Sequence, residues 1–249
     1  MRRIRRPFVR MLTVALLAVV GATVPGPLLA APAPLAAPAD ITESDIAASN
    51  AKVNAAFGAL VSMWGQRFAD LGLRFAPPAL LAYRGTTRTA CGVMSANNAA
   101  YCAALNAVYF DEAFLARLAG AASRQLGTDG DMAAIGVIAH EMGHAVVVQL
   151  GASSPIPYEN EAAADCLAGA FTEESARDGS LEPGDLDEAF FGLAAAGDPT
   201  PELTGDRRID SRILTRATLA GHGSREQRLA NFRAGYSRGA GVCVDALRD

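Results

Sequence analysis

The spacing of apolar positions changes several times along this chain, and each change marks an element. Ile46, Val53, Phe57, Leu60, Val61, Trp64, Phe68 and Leu71 recur at helical spacing. One long amphipathic helix is predicted from about Ser44 to Leu71, closed by Gly72. Pro77-Pro78 breaks the chain, and the run Ala79 to Tyr83 reads as a short strand. Gly85 to Ser95 reads as turn and loop, and Ala107-Val108-Tyr109-Phe110 as a second short strand. A helix is predicted over Asp111 to Gln125. Then comes Ala134 to Val148, small and aliphatic on every side. Such a run reads as a buried helix, with Asp129 or Asp131 to cap its start and Gly151 to end it. Pro155 and Pro157 separate it from a further helix, about Glu159 to Arg177, that stops near Gly179. Leu186 to Ala196 suits another helix. Gly197 to Gly205 is a loop rich in Pro, Gly, Asp and Thr, and Arg207 to Leu219 is mixed and unassigned. Ser224 with Gln227 three residues on forms a capping box for a last helix, to Tyr236. The fold class expected is α+β, mostly helical, with a small sheet beside the apolar helix.

Composition sharpens this picture at the N-terminus. Arg2, Arg3, Arg5, Arg6 and Arg10 precede the apolar stretch Met11 to Ala22, and small-residue cleavage sites follow near Ala30 and at Ala37-Pro38-Ala39. Residues 1–39 therefore read as an export signal, or as an N-terminal anchor with an Ala/Pro linker, and residues 40–249 as one domain. Arg5-Arg6-Pro7-Phe8-Val9 resembles a twin-arginine signal; a Sec signal is the alternative. Setting the leader aside removes five arginines and no acid, which leaves 17 basic against 26 acidic residues, a net charge of −9. An acidic domain without a basic patch excludes nucleic acid as a partner, and leaves the leader as the membrane contact. Cys91, Cys102, Cys166 and Cys243 all lie in the domain. An even count in an exported chain predicts two disulfides, and three pairings are possible. Cys91 and Cys102 flank a short polar loop, so a local bridge is expected there, with Cys166 bridged to Cys243.

The candidate chemistry sits in the apolar helix, which contains His140-Glu141-Met142-Gly143-His144. Residues four apart share a helix face, so His140 and His144 can hold one metal ion. Glu141 can reach a water beside that metal as general base. Two of the chain's three histidines fall in this pattern, which tells against chance. The longer motif with a third histidine is absent, because Val147 and Leu150 occupy the positions for its Gly and His. Asn160-Glu161-Ala162-Ala163-Ala164-Asp165 resembles the Asn-Glu-x-x-x-Asp segment of thermolysin-like peptidases. That resemblance implies Glu161 as third ligand and Asp165 as hydrogen-bond acceptor for the far ring nitrogen of His140. His222, between two glycines, suits either an oxyanion donor or an ordinary exposed loop histidine.

Taken together, the landmarks resemble the bacterial neutral zinc metallopeptidases, exported or membrane-anchored proteins. They are Ala90-Cys91-Gly92, Tyr101-Cys102, Val108 to Asp111, the His140 motif, and Glu161-x-x-Ala164-Asp165-Cys166-x-Ala168-Gly169. Gly197-Asp198, His222-Gly223-Ser224, Gln227-Arg228, Phe232, Gly235-Tyr236 and Cys243 continue them. Asn231-Phe232 and Ala103 depart from the pattern, away from the metal residues. The resemblance implies a zincin-like fold, a Zn²⁺ cofactor and peptide or protein substrates. In the mechanism it implies, zinc on His140, His144 and Glu161 lowers the pKa of water from about 15.7 to about 7. Glu141 takes that proton and returns it to the leaving amine, and His222 steadies the oxyanion. Such families place an edge strand over the active-site helix to receive substrate, and the strand at residues 107–110 is the candidate. Two rivals are a catalytically silent zincin-fold binding or chaperone protein and a purely structural zinc domain. The intact Glu141 and the lack of a fourth ligand tell against them.

Overall fold

The computed structural model describes residues 41–198 and 201–245; the expected leader, residues 1–39, lies outside them. Helix α1 (Glu43–Asp70) begins at Thr42, whose side chain and that of Asp45 form a capping box. Its inner face carries Ile46, Val53, Leu60, Met63, Trp64 and Phe68, all buried. Three strands follow as a sheet of order β1-β5-β4: β1 (Ala79–Tyr83), β4 (Ala99–Cys102) and β5 (Ala107–Asp111). β1 runs parallel and β4 antiparallel to β5. Between β1 and β4 lies a hairpin of β2 (Thr87–Thr89) and β3 (Gly92–Met94), where the sequence reads as loop. Strands of three residues are too short to show an alternation.

The sheet order corrects one expectation. β5 is the middle strand and is buried along most of its length, so it offers no free edge. The edge strand against the apolar helix is β4, which sequence reading passes over because Ala99-Ala100-Tyr101-Cys102 is short and weakly patterned.

The remaining chain is helical: α2 (Glu112–Leu126), α3 (Asp131–Gln149), α4 (Pro157–Asp178), α5 (Asp185–Ala195), α6 (Arg207–Ala220), α7 (Arg225–Arg238) and α8 (Gly241–Asp245). The segment left unassigned is thus α6. α3 is the centre: α1, α2, α4, α5 and the sheet all pack on it, and α7 packs on α4. α3 is also long and apolar enough to cross a membrane, but 78% of that stretch is buried inside the protein. Truncating a wholly buried member of this core such as Ile138 or Leu60 to Ala would cost about 2–5 kcal/mol.

The start of α3 differs from expectation. Its N-cap is Gly130, and no local side chain caps it. Glu188, from α5, reaches across instead: Oε1 accepts from the Gly130 N–H and Oε2 from the Met132 N–H, both at 2.9 Å. Asp129 and Asp131 are drawn aside into ion pairs with Lys52. The cap is non-local, so no sequence window could reveal it.

Candidate metal centre

The two histidines of α3 meet edge to face, ring centroids 4.7 Å apart, with His140 Nε2 3.2 Å from His144 Nε2. The chain then reverses, and α4 returns Glu161 to the same place. Glu161 Oε2 lies 3.2 Å from His140 Nε2, and Oε1 lies 3.5 Å from His144 Nε2. Asn160 fixes the reversal: its Oδ1 accepts from Ser154 N–H at 2.9 Å and its Nδ2 donates to Ser154 O at 2.8 Å. Position 143 decides how near α4 can come. A Cβ on Gly143 would sit 2.8 Å from Ala164 Cα and 2.9 Å from Ala164 O. Ala164 is about one turn past Glu161, so any larger residue at 143 would push the carboxylate away.

The other ring nitrogen of His140 is already engaged. Nδ1 lies 2.8 Å from Oδ1 of Asp165, which is wholly buried. A buried carboxylate accepts, so in the neutral ring the proton belongs on Nδ1, which leaves the Nε2 lone pair aimed at His144 and Glu161. Asp165 also accepts from Arg228: Nη2 at 2.7 Å to Oδ1, Nε at 3.1 Å to Oδ2 and 3.2 Å to Oδ1. Arg228 comes from α7, is 4% exposed, and donates from Nη1 to Ala196 O at 3.0 Å.

The electrostatics follow from these contacts. Burial opposes a charge on His140, yet Asp165 and then Glu161 outweigh it and raise its pKa to about 9. Burial likewise opposes a charge on Glu161, but the two histidines hold its carboxyl far below the usual range. Burial works against the Arg228 guanidinium too, and Asp165 more than restores it.

The donor set fits a divalent cation. Three carboxyl groups, Glu141, Asp165 and Glu161, gather round the two imidazoles with the single guanidinium of Arg228, a surplus of acidic groups that a cation would offset. Glu161 Oε2 is buried and faces His140 Nε2 at 3.2 Å; with that ring neutral it has no hydrogen-bond partner, an arrangement that costs free energy unless a cation lies beside it. Zinc–ligand distances of about 2.0–2.1 Å at tetrahedral angles put ligand atoms about 3.3 Å apart. The separations here are 3.2, 3.2 and 3.5 Å. A second acidic group, Asp129, Asp131, Asp185 and Glu188, also converges. Lys52 and the N–H groups at the start of α3 already occupy it.

Glu141 is buried, and its Oε2 accepts the Tyr101 N–H of β4 at 2.8 Å. A cavity of about 360 Å³ opens beside the ligands, lined by His144, Glu161, Val147, Val148, Pro155 and Pro157 among others. The larger cavity, about 910 Å³, lies along α1 and α2 and touches none of the ligands. We place the chemistry at the smaller one, since the donors are there. His222 stands apart: its side chain is 60% exposed, with Nδ1 3.2 Å from Asp198 Oδ1. Asp198 Oδ2 also takes the Gly223 N–H. Among the described residues His222 makes no hydrogen bond to His140, His144 or Glu161.

The cysteines pair as Cys91–Cys102 and Cys166–Cys243. The first bridge ends β4 one residue from Tyr101, and the second leaves α4 one residue from Asp165. Sequence reasoning gives no role to Tyr101, Asn160, Asp198 or Arg228. For Arg228 a signal was available, since it shares the buried stripe of α7 with Phe232 and Gly235.

Fold and site together define a mostly helical α+β protein with a His-Glu-x-x-His motif on its central helix as part of a candidate metal-binding cluster. The chain belongs to the family described as "Putative neutral zinc metallopeptidase", whose sequence profile matches residues 14–247. It is similar to the "Uncharacterized protein YpfJ" of Escherichia coli strain K12 and to its namesake in strain O6:H1. Each is 34% identical over 192 residues, which cover 71% of this chain and 63% of the relative. The chain thus spans less than two thirds of the relatives it matches. No solved structure matches it significantly.

Proposed function

We propose that this chain is an exported zinc metallopeptidase that hydrolyses peptide bonds. The observation that carries the reading is the convergence of His140 Nε2, His144 Nε2 and a Glu161 oxygen on one point, beside the next residue of the motif, Glu141. Bound there, zinc would supply a Lewis acid that lowers the pKa of water from about 15.7 to about 7. Asp165 keeps His140 in the tautomer that leaves Nε2 free. The Tyr101 N–H holds one oxygen of Glu141 and leaves the other to take a proton from the attacking water and pass it to the leaving amine. In its protonated form His222, held at Nδ1 by Asp198, keeps Nε2–H for the carbonyl oxygen as charge builds there. β4 is an edge of its sheet, so an extended substrate has a strand to pair with. Two closed disulfides suit an oxidising compartment and support export.

The test is metal analysis of the purified chain beside cleavage of an unfolded protein. About one zinc per chain is expected, with cleavage lost on chelation. Glu141→Gln should keep the zinc and lose activity by roughly 10²–10⁴-fold. His222→Ala should lower kcat more mildly, with little change in KM. Equal cleavage by wild type and Glu141→Gln would sink the mechanism. Peptide binding without cleavage in both would identify a silent binding protein.

A further inference from the structure

The buried arginine Arg228 has no part in the steps above, although it is less exposed than any of the three proposed ligands. Its guanidinium uses all three nitrogens, two on Asp165 and one on Ala196 O. Asp165 and Arg228 are 63 residues apart, and Arg228 and His140 are 88 apart. Arg228 Nη2 also approaches His140 Nδ1 to 3.2 Å. With the proton on Nδ1 both groups are donors, so this approach is repulsive by itself. Asp165 Oδ1 bridges it by accepting from each. The three side chains therefore form one unit: Asp165 can face His140 squarely only while Arg228 holds its other lone pairs.

We propose that Arg228 is the positioning residue of the metal centre. Acting through Asp165 on His140, it makes helix α7 part of the metal site. The inference rests on reading the cluster as a zinc site. The packing that seats the arginine is close. A Cβ on Gly235 would fall 1.7 Å from Cys166 O, so α7 lies backbone to backbone on α4. Cys166, the neighbour of Asp165, is also tied to Cys243 in α8. Among the described residues, His140 and Arg228 are the side chains that hydrogen-bond to the Asp165 carboxylate. Without the arginine, a wholly buried carboxylate would keep a single hydrogen bond and leave its remaining lone pairs unsatisfied. The fork matters as well as the charge, because Lys cannot span Asp165 and Ala196 O together.

Two effects oppose each other when Arg228 is lost. Removing a positive charge near the site would strengthen attraction for a cation, and releasing Asp165 would misdirect His140. Asp165 is closer to the ligand than Arg228 is, and its own charge is already offset by the guanidinium. We therefore expect misdirection to win. The experiment measures zinc affinity of the full chain by competition with a chromophoric chelator. The variants are Arg228→Met, Arg228→Lys, Asp165→Asn and the double variants. Arg228→Met and Asp165→Asn should each weaken zinc by about 10–100-fold. In the Asp165→Asn background, changing Arg228 should move affinity by no more than about twofold. Zinc should also slow amide exchange over residues 225–238 in wild type and not in Asp165→Asn. If Arg228→Met does not fold, Arg228→Lys carries the same cycle and should still weaken zinc. An arginine that is only scaffold would lower Tm equally with and without zinc and leave zinc affinity unchanged. That result, additive losses, or tighter zinc in Arg228→Met would overturn the proposal. A wild type that binds no zinc sinks both readings, whereas one that binds zinc and cleaves nothing sinks the peptidase reading alone.

Discussion

Zinc should enter this site by expelling a proton. Without metal, His140 is flanked by Asp165 at Nδ1 and by Glu161 at Nε2, at 2.8 and 3.2 Å. Those carboxylates overcome its burial and raise its pKa to about 9. At pH 7 the metal-free ring is then mainly in its charged form, and the proton on Nε2 stands where the cation would be. Zinc needs the neutral ring. Glu161 has no proton to give, because the histidines hold its carboxyl ionised. Loading should therefore release about one proton from His140 per zinc at pH 7. Zinc affinity should rise about tenfold per pH unit up to about 9 as a result. The stability sign follows from the same raised pKa. Metal-free protein should draw full benefit from charged His140 below about 6.5 and lose it as pH climbs through about 9. Zinc-loaded protein should lack that loss. Calorimetric titration in buffers of different ionisation enthalpy counts the protons. Zero net release at pH 7, or affinity flat from pH 6.5 to 8.5, would refute the electrostatics argued here.

Gly143→Ala gains up to about 1 kcal/mol of helix propensity but drives Cβ into the backbone of Ala164, an overpacking cost of about 1–3 kcal/mol. Net destabilisation in denaturant and weaker zinc binding are expected together, and an unchanged zinc Kd would show that α4 does not set Glu161. Losing Cys166–Cys243, whose ends are 77 residues apart, should cost about 4 kcal/mol against about 3 for Cys91–Cys102, 11 apart, in the chain-entropy model; denaturant midpoints of the paired Cys→Ser variants give the order. Burial raises Asp185 to about 6, so this acid should cost stability increasingly from about pH 4 to about pH 6. Asp185→Asn should flatten unfolding free energy across that window; an unaltered slope would clear Asp185.

How much of this was legible in the sequence depends on how far apart the cooperating residues lie. The His140–His144 pair needs only helical spacing, so four residues suffice to see it. Glu161 is 21 positions on, across a turn marked by two prolines, and a motif match reaches it. The local cap of Ser224 with Gln227 was equally plain, whereas that of Thr42 with Asp45, written as closely, went unread because the first helix is predicted to start at about Ser44. The long apolar face of α1 needed no tertiary knowledge at all. What could not be read was whatever the sheet and the distant helices decide. Glu188 caps α3 from 56 and 58 residues away. β4 is paired by β5 rather than by its own pattern. β5 is apolar enough to pass for an edge strand or for core, and only the sheet order separates the two.

The same distance rule explains why the proposed metal ligands are plain and their supports are not. A ligand must be a histidine or a carboxylate at fixed spacing, which is a strong restriction on sequence. A support has only to present one hydrogen-bonding group at one point, and any element can bring it there. Here the support of Glu141 is a backbone N–H of β4, which leaves no trace in residue identity. The support of Asp165 is an arginine on α7, which sequence alone gives as part of the Gln227-Arg228 landmark and without a role. Its burial at 4% changes that reading, because a guanidinium leaves water only where its charge and its donors are all matched. Both supports are anchored by a disulfide within one residue of the contact, at Cys102 and at Cys166. The two bridges therefore do more than brace a loop and a tail. They tie down the strand that meets Glu141 and the helix that carries Asp165.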